Sequence, residues 1–319
     1  MDLKNIIKTI KSIKNPMIFR KYILYKLISL LYRNNNGIYI LDEEWDNLII
    51  LDACRYDFFE KIYKNYKIEG ILEKKISRGT HTSSFLTENF KNKFYNDIIY
   101  ITANPYVDIL LKGKLFKIIS LWKEEWDAEY HTVLPKNMYI LTLNAIKKYP
   151  NKKIIIHFMQ PHYPYIGYNL KFNNLETIRD TALKKKDAIV KSPNKKRIKE
   201  NFFTLYSSYV YGMIDIGIHL RGYWKNLEYT FPYIEKLLKI LPGITVITAD
   251  HGEAFGEFIH PFLPIRYYGH RNGVRIPILV NVPWLTVKQE NEDIMEKRSL
   301  LEKEIISNKI KFLKNLSKF

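Results

Sequence analysis

From Asn34-Asn35-Asn36-Gly37 onward, a loop signal, the chain alternates short apolar runs with longer helical stretches. The runs are Leu48–Leu51, Ile98–Ile101, Ile154–Ile156, Ile244–Ile247 and Ile276–Val282. They are β-branched and nearly unbroken, as strands covered on both faces should be. Helical patterns lie between them at Phe58–Tyr66, at Asn137–Lys148 and in a long segment around Phe203–Leu241. Strands alternating with helices predict an α/β fold with a mostly parallel central sheet, flanked by helices on both faces. Upstream, Leu3, Ile6, Ile7, Ile10 and Ile13 fall on one side of a helix, with Lys4, Lys8 and Lys11 opposite. Pro16 divides this from a second apolar-rich helix, Met17 to Arg33. From about Ile294 to Phe319 the pattern is again amphipathic. The expected organisation is a basic helical extension over 1–37, an α/β catalytic domain over 38–290, and a C-terminal helix over 291–319 packed on it.

Charge adds a question of partner. Lys and Arg number 51 against 33 acids, a net +18. The surplus is mostly Lys, spread along the chain and unaccompanied by a nucleic-acid motif, so no specific nucleic-acid partner is expected. Two stretches concentrate it. Residues 1–33 hold eight bases and one acid, a composition that suits peripheral contact with an anionic membrane, or a helix packed on its own domain. Lys184–Lys186 with Lys191, Lys195, Lys196, Arg197 and Lys199 surround Pro193-Asn194 and read as a solvent-facing insertion. The lone Cys54 excludes a disulfide framework and a cysteine-rich zinc module. No apolar run approaches the ~18 residues of a spanning helix, and Lys mixes with Ile throughout the first 16 residues, unlike a cleavable signal. These features predict a cytoplasmic protein, with peripheral attachment to the inner membrane face as its membrane-linked form.

The chemistry lies where the runs end. Asp52 ends the first, Thr102 and Asn104 follow the second, His157 and His162 the third, and Asp250-His251 the fourth. Ligands of open α/β sheets bind outside the carboxyl ends of the strands. A lone Asp after a strand is usually a helix cap. Asp250-His251-Gly252-Glu253 offers more, because adjacent acid and imidazole supply hard oxygen and borderline nitrogen ligands for a divalent cation. His270, in Tyr268-Gly269-His270, adds a further imidazole just before the last run.

Four segments carry a family resemblance: Leu48-Ile49-Ile50-Leu51-Asp52-Ala53-Cys54-Arg55-Tyr56-Asp57, His157-Phe158-Met159-Gln160-Pro161-His162, Thr248-Ala249-Asp250-His251-Gly252-Glu253, and Tyr268-Gly269-His270. In this order the chain resembles the sulfatase-like branch of the alkaline phosphatase/sulfatase superfamily, over roughly residues 45–285. The resemblance implies a metal held by Asp52, Asp250, His251 and a nucleophile at a helix N-terminus, where amide dipoles favour an anion. The matching stretch is Ser77-Arg78-Gly79-Thr80-His81-Thr82-Ser83-Ser84. It points to Thr82, with Thr80 and Ser83 as rivals. His162 is implied as a leaving-group acid or oxyanion holder, and His162 and His270 as ligands of a second metal, with His157 or His260 as a third. Arg78, Arg271 and His157 are candidates for holding anionic oxygens.

Departures from the family narrow the chemistry. Neither Cys54 nor Ser77 begins the Cys/Ser-x-Pro/Ala-x-Arg motif from which sulfatases make formylglycine. Ala53 stands where many sulfatases have a second acid, so the donor set suits Zn²⁺ or Mn²⁺ better than Ca²⁺. One ion is expected, with room for a second. The resemblance therefore implies a metal-dependent hydrolase or transferase of phosphate esters, with an anionic ester substrate such as a glycan or lipid headgroup. A sulfatase with an unmodified nucleophile is one alternative. A non-catalytic membrane- or polyanion-binding protein that keeps the fold is another.

Overall fold

The computed structural model describes residues 30–32, 34–91, 93–167, 179 and 215–289. The basic extension up to residue 29, the Lys-rich stretch at 184–199 and the C-terminal helix from Ile294 lie outside the described residues.

The central sheet has seven strands. In chain order they are β1 (Asn47–Asp52), β2 (Ile71–Ile76), β3 (Tyr95–Thr102), β4 (Leu115–Ser120), β7 (Lys153–Pro161), β8 (Gly243–Ala249) and β11 (Asn281–Gln289), and in space they run β2-β11-β8-β1-β7-β3-β4. Parallel pairing links β8, β1, β7, β3 and β4, and β11 alone runs against its neighbours β8 and β2. Two small ribbons complete the β-structure: β5 (Trp126–Asp127) with β6 (Thr132–Val133), and β9 (Ala254–His260) with β10 (Leu263–Gly269).

Strand alternation explains why the runs are apolar throughout. Ile49 and Leu51 of β1 pack with Phe59 of α1 (Tyr56–Tyr63), Met138 of α5 (Pro135–Lys148) and Phe231 of α6 (Ile216–Leu238). Leu48 and Ile50 face the other way, onto Phe85 of α2 (Thr82–Asn89) and Val107 of α3 (Pro105–Leu111). The sheet is thus covered by helices on both faces, as predicted, and both faces of β1 are stripped of water.

The last run is corrected. Pro277–Val280 is one helical turn, α7, and the strand begins only at Asn281. Pro277 supplies a first-turn residue with no amide to satisfy, which favours helix entry over strand pairing. Because β11 is antiparallel, its start lies at the edge where the parallel strands end, so His270 still arrives on the side of Asp52 and Asp250. Short α4 (Leu121–Glu124) follows β4.

Candidate metal centre and active site

Asp52 closes β1, His157 lies on β7, and Asp250 and His251 follow β8 directly, so three adjacent parallel strands deliver four side chains to one edge. All four are buried, none more than 2% exposed. His251 Nε2 lies 3.4 Å from Asp250 Oδ2 and 3.8 Å from Asp52 Oδ1, while His157 Nε2 lies 3.9 Å from Asp250 Oδ2 and 4.0 Å from Asp52 Oδ2. Ligands at ~2.0–2.2 Å from one tetrahedral ion stand ~3.3–3.6 Å apart, close to this spacing.

Three of these atoms, His157 Nε2, Asp250 Oδ2 and His251 Nε2, are buried without a hydrogen-bond partner. Orphaned polar atoms are costly, and several converging on one point need a shared partner. The surroundings aim them. The other oxygen of Asp250 accepts from the Ala53 and His251 amides at 3.0 and 2.9 Å. His251 Nδ1 meets the Gly252 carbonyl at 2.9 Å, which can only accept, so the proton sits on Nδ1 and Nε2 is left as a lone-pair donor; His157 Nδ1 meets the Tyr100 hydroxyl at 3.0 Å, which orients that ring. Burial holds His157 at about 4, and burial followed by His270 holds His251 well below the usual range, so both imidazoles are neutral. Burial first, and Asp250 second, raises Asp52 well above the carboxylate range. Two crowded acids and two neutral imidazoles are a donor set that a divalent cation fits.

The turn after β1 is special. Ala53 has φ 59°, a left-handed conformation rare for a residue with a side chain, and this turns its amide onto Asp250. In the facing turn a Cβ on Gly252 would stand 2.2 Å from the Ile278 carbonyl oxygen, so only glycine fits there.

Thr82 is the first residue of α2, and it is buried. Asn104 connects it to the centre, its Nδ2 lying 2.6 Å from Asp52 Oδ2 and 3.4 Å from Thr82 Oγ1. The rivals are engaged elsewhere: Thr80 Oγ1 donates to the Arg271 carbonyl and accepts from the Gly273 amide at 2.9 and 2.8 Å, and Ser83 Oγ sits 3.1 Å from His81 Nδ1. His81 caps α2 by accepting from the Ser83 amide.

Beside the centre lies a second cluster. His270 Nδ1 meets Glu253 Oε2 at 2.8 Å and His162 Nε2 stands 4.0 Å from it. The ring of His270 is 4.3 Å from that of His251, 5.1 Å from that of His162 and 5.3 Å from that of His81. Burial lifts Glu253 to about 7 and pushes His81 and His270 down.

The structure therefore brings Asp52, Thr82, His157, Asp250 and His251 together, with His162 and His270 alongside. His157 stands with Asp52 and Asp250, its Nε2 3.9–4.0 Å from their carboxylate oxygens. Arg78 is tied away from the cluster: it donates to the Gly37 carbonyl at 2.8 Å, stacks 3.8 Å over Tyr39 and pairs with Glu88. His260 lies on the β9–β10 ribbon and accepts from the Phe262 amide. Asn104, His81 and Glu253 form part of the site although sequence reasoning gave them no role. The signal was present for each, in a strand-end position, adjacency to Thr82 and membership of the Asp-His-Gly-Glu segment.

No protein-family model matches the chain, and no curated protein matches it. Solved structures do. The integral membrane protein lipooligosaccharide phosphoethanolamine transferase A (EptA) from Neisseria meningitidis is similar over 76% of this chain and 47% of its own, at 13% identity and TM-score 0.49. The C-terminal periplasmic domain of EcEptC from Escherichia coli is similar over 82% and 77%, at 13% identity and TM-score 0.43. A protein in the alkaline phosphatase superfamily from Vibrio parahaemolyticus is similar over 80% and 63%, at 12% identity and TM-score 0.39. The chain spans about half the length of the Neisseria protein. The likeness is one of fold.

The expected cytoplasmic location, including attachment to the inner membrane face, is corrected by these likenesses, which include an integral membrane protein and a periplasmic domain. The apolar run lengths and cysteine count behind that expectation do not report a compartment. No helix among the described residues is long and apolar enough to cross a membrane.

Proposed function

We propose that the chain is a metal-dependent enzyme that transfers or hydrolyses the phosphoryl group of a phosphate ester, with Thr82 as nucleophile. The observation that carries this reading is the convergence of three orphaned buried atoms, His157 Nε2, Asp250 Oδ2 and His251 Nε2, beside Asp52 and next to a helix that opens on a buried threonine. Asp52, His157, Asp250 and His251 would hold a divalent cation, Zn²⁺ or Mn²⁺ by donor type. When bound, that ion supplies positive charge that stabilises a phosphate and an ionised hydroxyl.

The chain's own groups do the rest. The α2 amides and dipole favour the oxygens of an incoming phosphate. Asn104 fixes the Thr82 hydroxyl relative to Asp52. The Thr82 hydroxyl gives up its proton to water, a bond forms from its Oγ to phosphorus as the ester P–O bond breaks, and the departing oxygen takes a proton from the cluster of His162, Glu253 and His270. Water or an acceptor hydroxyl then attacks phosphorus and frees Thr82. A glycan or lipid headgroup ester is the substrate class proposed.

Asp250→Asn tests this reading. The amide keeps the oxygen that receives the Ala53 and His251 amides but loses the charge on the orphaned side. The expected outcome is folded protein with metal content reduced at least tenfold by mass spectrometry and no turnover of aryl phosphates. Wild-type metal content and turnover in that variant would overturn it.

A further inference from the structure

The β9–β10 ribbon grows out of the site. Its arms begin one residue after Glu253 and end one residue before His270, with Ala254 paired to Gly269. Seven-residue strands set its tip ~20 Å along the ribbon from Glu253 and His270. At the far end the pair His260–Leu263 is closed by a two-residue turn, Pro261-Phe262. Polar residues are normal at such a tip, yet the sequence runs Pro261-Phe262-Leu263-Pro264-Ile265. Phe262 is 87% exposed and Phe258 53% exposed.

Single exposed hydrophobics need no explanation, but these are not scattered. Among the described residues, eight large hydrophobics are exposed, and four of them are Leu30, Leu31, Phe258 and Phe262. The two pairs are joined through Tyr32, whose hydroxyl donates to the Ile259 carbonyl at 2.7 Å and whose ring packs on the cluster that holds Ile259. Positions 1–33, the sequence that runs through this junction, carry eight bases and one acid. The guanidinium of Arg266 lies 4.9 Å over the Phe258 ring. Glu257, the acid on the ribbon, is already paired with Arg55. Exposed rings with Arg266 over one of them, on a chain of net charge +18, match the surface of an anionic bilayer, where rings enter the interfacial layer and bases meet lipid phosphates.

We infer that the β9–β10 ribbon is a membrane-docking element that seats Phe258 and Phe262 in an anionic lipid surface and so holds the site within ~20 Å of it. The inference goes beyond the phosphate-ester reading and does not depend on metal or turnover.

The test uses the full chain with vesicles of phosphatidylcholine and phosphatidylglycerol (3:1), and of phosphatidylcholine alone. A Phe258→Ser/Phe262→Ser double variant should lose at least ~10-fold in affinity for the anionic vesicles, with thermal unfolding and turnover of a soluble aryl phosphate unchanged. A Phe262→Trp variant should show, relative to wild type, a blue-shifted emission on anionic vesicles that bromine-labelled lipid quenches. Equal affinity of the double variant and wild type, together with no such emission change in Phe262→Trp, would overturn the inference. So would a wild-type dimer in sedimentation that the double variant dissociates, since a second copy would then cover the rings. Should both proteins lack turnover while the vesicle difference persists, the phosphate-ester reading fails and the docking stands.

Discussion

Thr82 is separated from its neighbours by what its hydroxyl does not do. Thr80 already gives and takes a hydrogen bond with residues 271–273, and Ser83 lies against His81, whereas Thr82 Oγ1 meets Asn104, which leads to Asp52. The helix cap comes from His81, so Thr82→Ala leaves that cap in place. Thr82→Ala is expected to keep the wild-type unfolding temperature and to lose at least ~10³-fold in turnover, together with the covalent adduct that intact mass would show in rapid-quench samples. Thr80→Ala should behave in the opposite way, losing ~1–2 kcal/mol of stability with two broken hydrogen bonds while keeping the adduct. An adduct that survives in Thr82→Ala and disappears in Thr80→Ala would move the nucleophile by two residues. Asn104→Ala should keep the adduct but slow its formation, because the hydroxyl loses its tether to Asp52 without losing its own chemistry.

Between elements, Arg55 is the joint. Its guanidinium pairs bidentately with Asp57 on α1 at 2.8 and 2.9 Å, and it reaches Glu257 and the Glu253 carbonyl at the start of β9. Glu257 in turn accepts from the Phe255 amide at 2.6 Å, and Phe58 and Phe255 sandwich the cation at 4.9 and 5.6 Å. The Arg55 amide donates to the Tyr223 hydroxyl on α6, which donates to the Ala53 carbonyl. The turn bearing Asp52 is thereby bolted to the turn bearing Glu253. Arg55→Met keeps the stem but strands two partly exposed carboxylates, and should cost ~1–3 kcal/mol in chemical denaturation. It should also lower kcat more than it raises KM, since it shifts groups that act on the reacting atoms. A purely structural joint would lose stability with kcat intact. Sequence pattern could see the strands and the turns at their ends, because apolar runs of β-branched residues and Asp-His-Gly-Glu are local signals. It could not see this joint. Tyr223 and Glu257 lie 168 and 202 positions from Arg55, and only the sheet order brings them together. The β9–β10 ribbon escaped for a different reason: its residues Ala254–Gly269 mix aromatic, glycine and proline positions without a period of two. β2 escaped too, since Ile71-Leu72-Glu73-Lys74-Lys75-Ile76 is half charged and lies at the sheet edge, where one side of the strand meets water.

For the molecule as a whole, collecting imidazoles in a dry place sets how it responds to acid. His157 and His219 are held at about 4 by burial, and His81, His251 and His270 lie below the ordinary range for the same primary reason. An unfolded chain protonates these five near the ordinary histidine value of ~6.5. Between that value and about 4 the unfolded state therefore binds more protons than the folded one, and stability falls as pH falls. Glu253 works against this: held at about 7, it keeps its proton in the fold where the unfolded chain has released it, so its contribution is greatest in acid and is lost as pH rises through about 7. Asp52, raised by burial and then by Asp250, acts in the same direction as Glu253; five histidines outweigh the two acids, and the unfolding midpoint should drop steadily from pH 7 to pH 5. His219 isolates one share of the effect. It lies in the first turns of α6, with Nδ1 3.2 Å from the Tyr165 hydroxyl, and it is neither a cation donor nor a member of the imidazole cluster at the site. His219→Gln retains a polar group that can meet Tyr165 but cannot titrate. Its unfolding midpoint should sit at or slightly below wild type at pH 7 and close on it, or pass it, by pH 5. Parallel curves across that range would show that His219 takes up its proton in the folded state at the ordinary value, and that burial at this position does not hold the imidazole neutral.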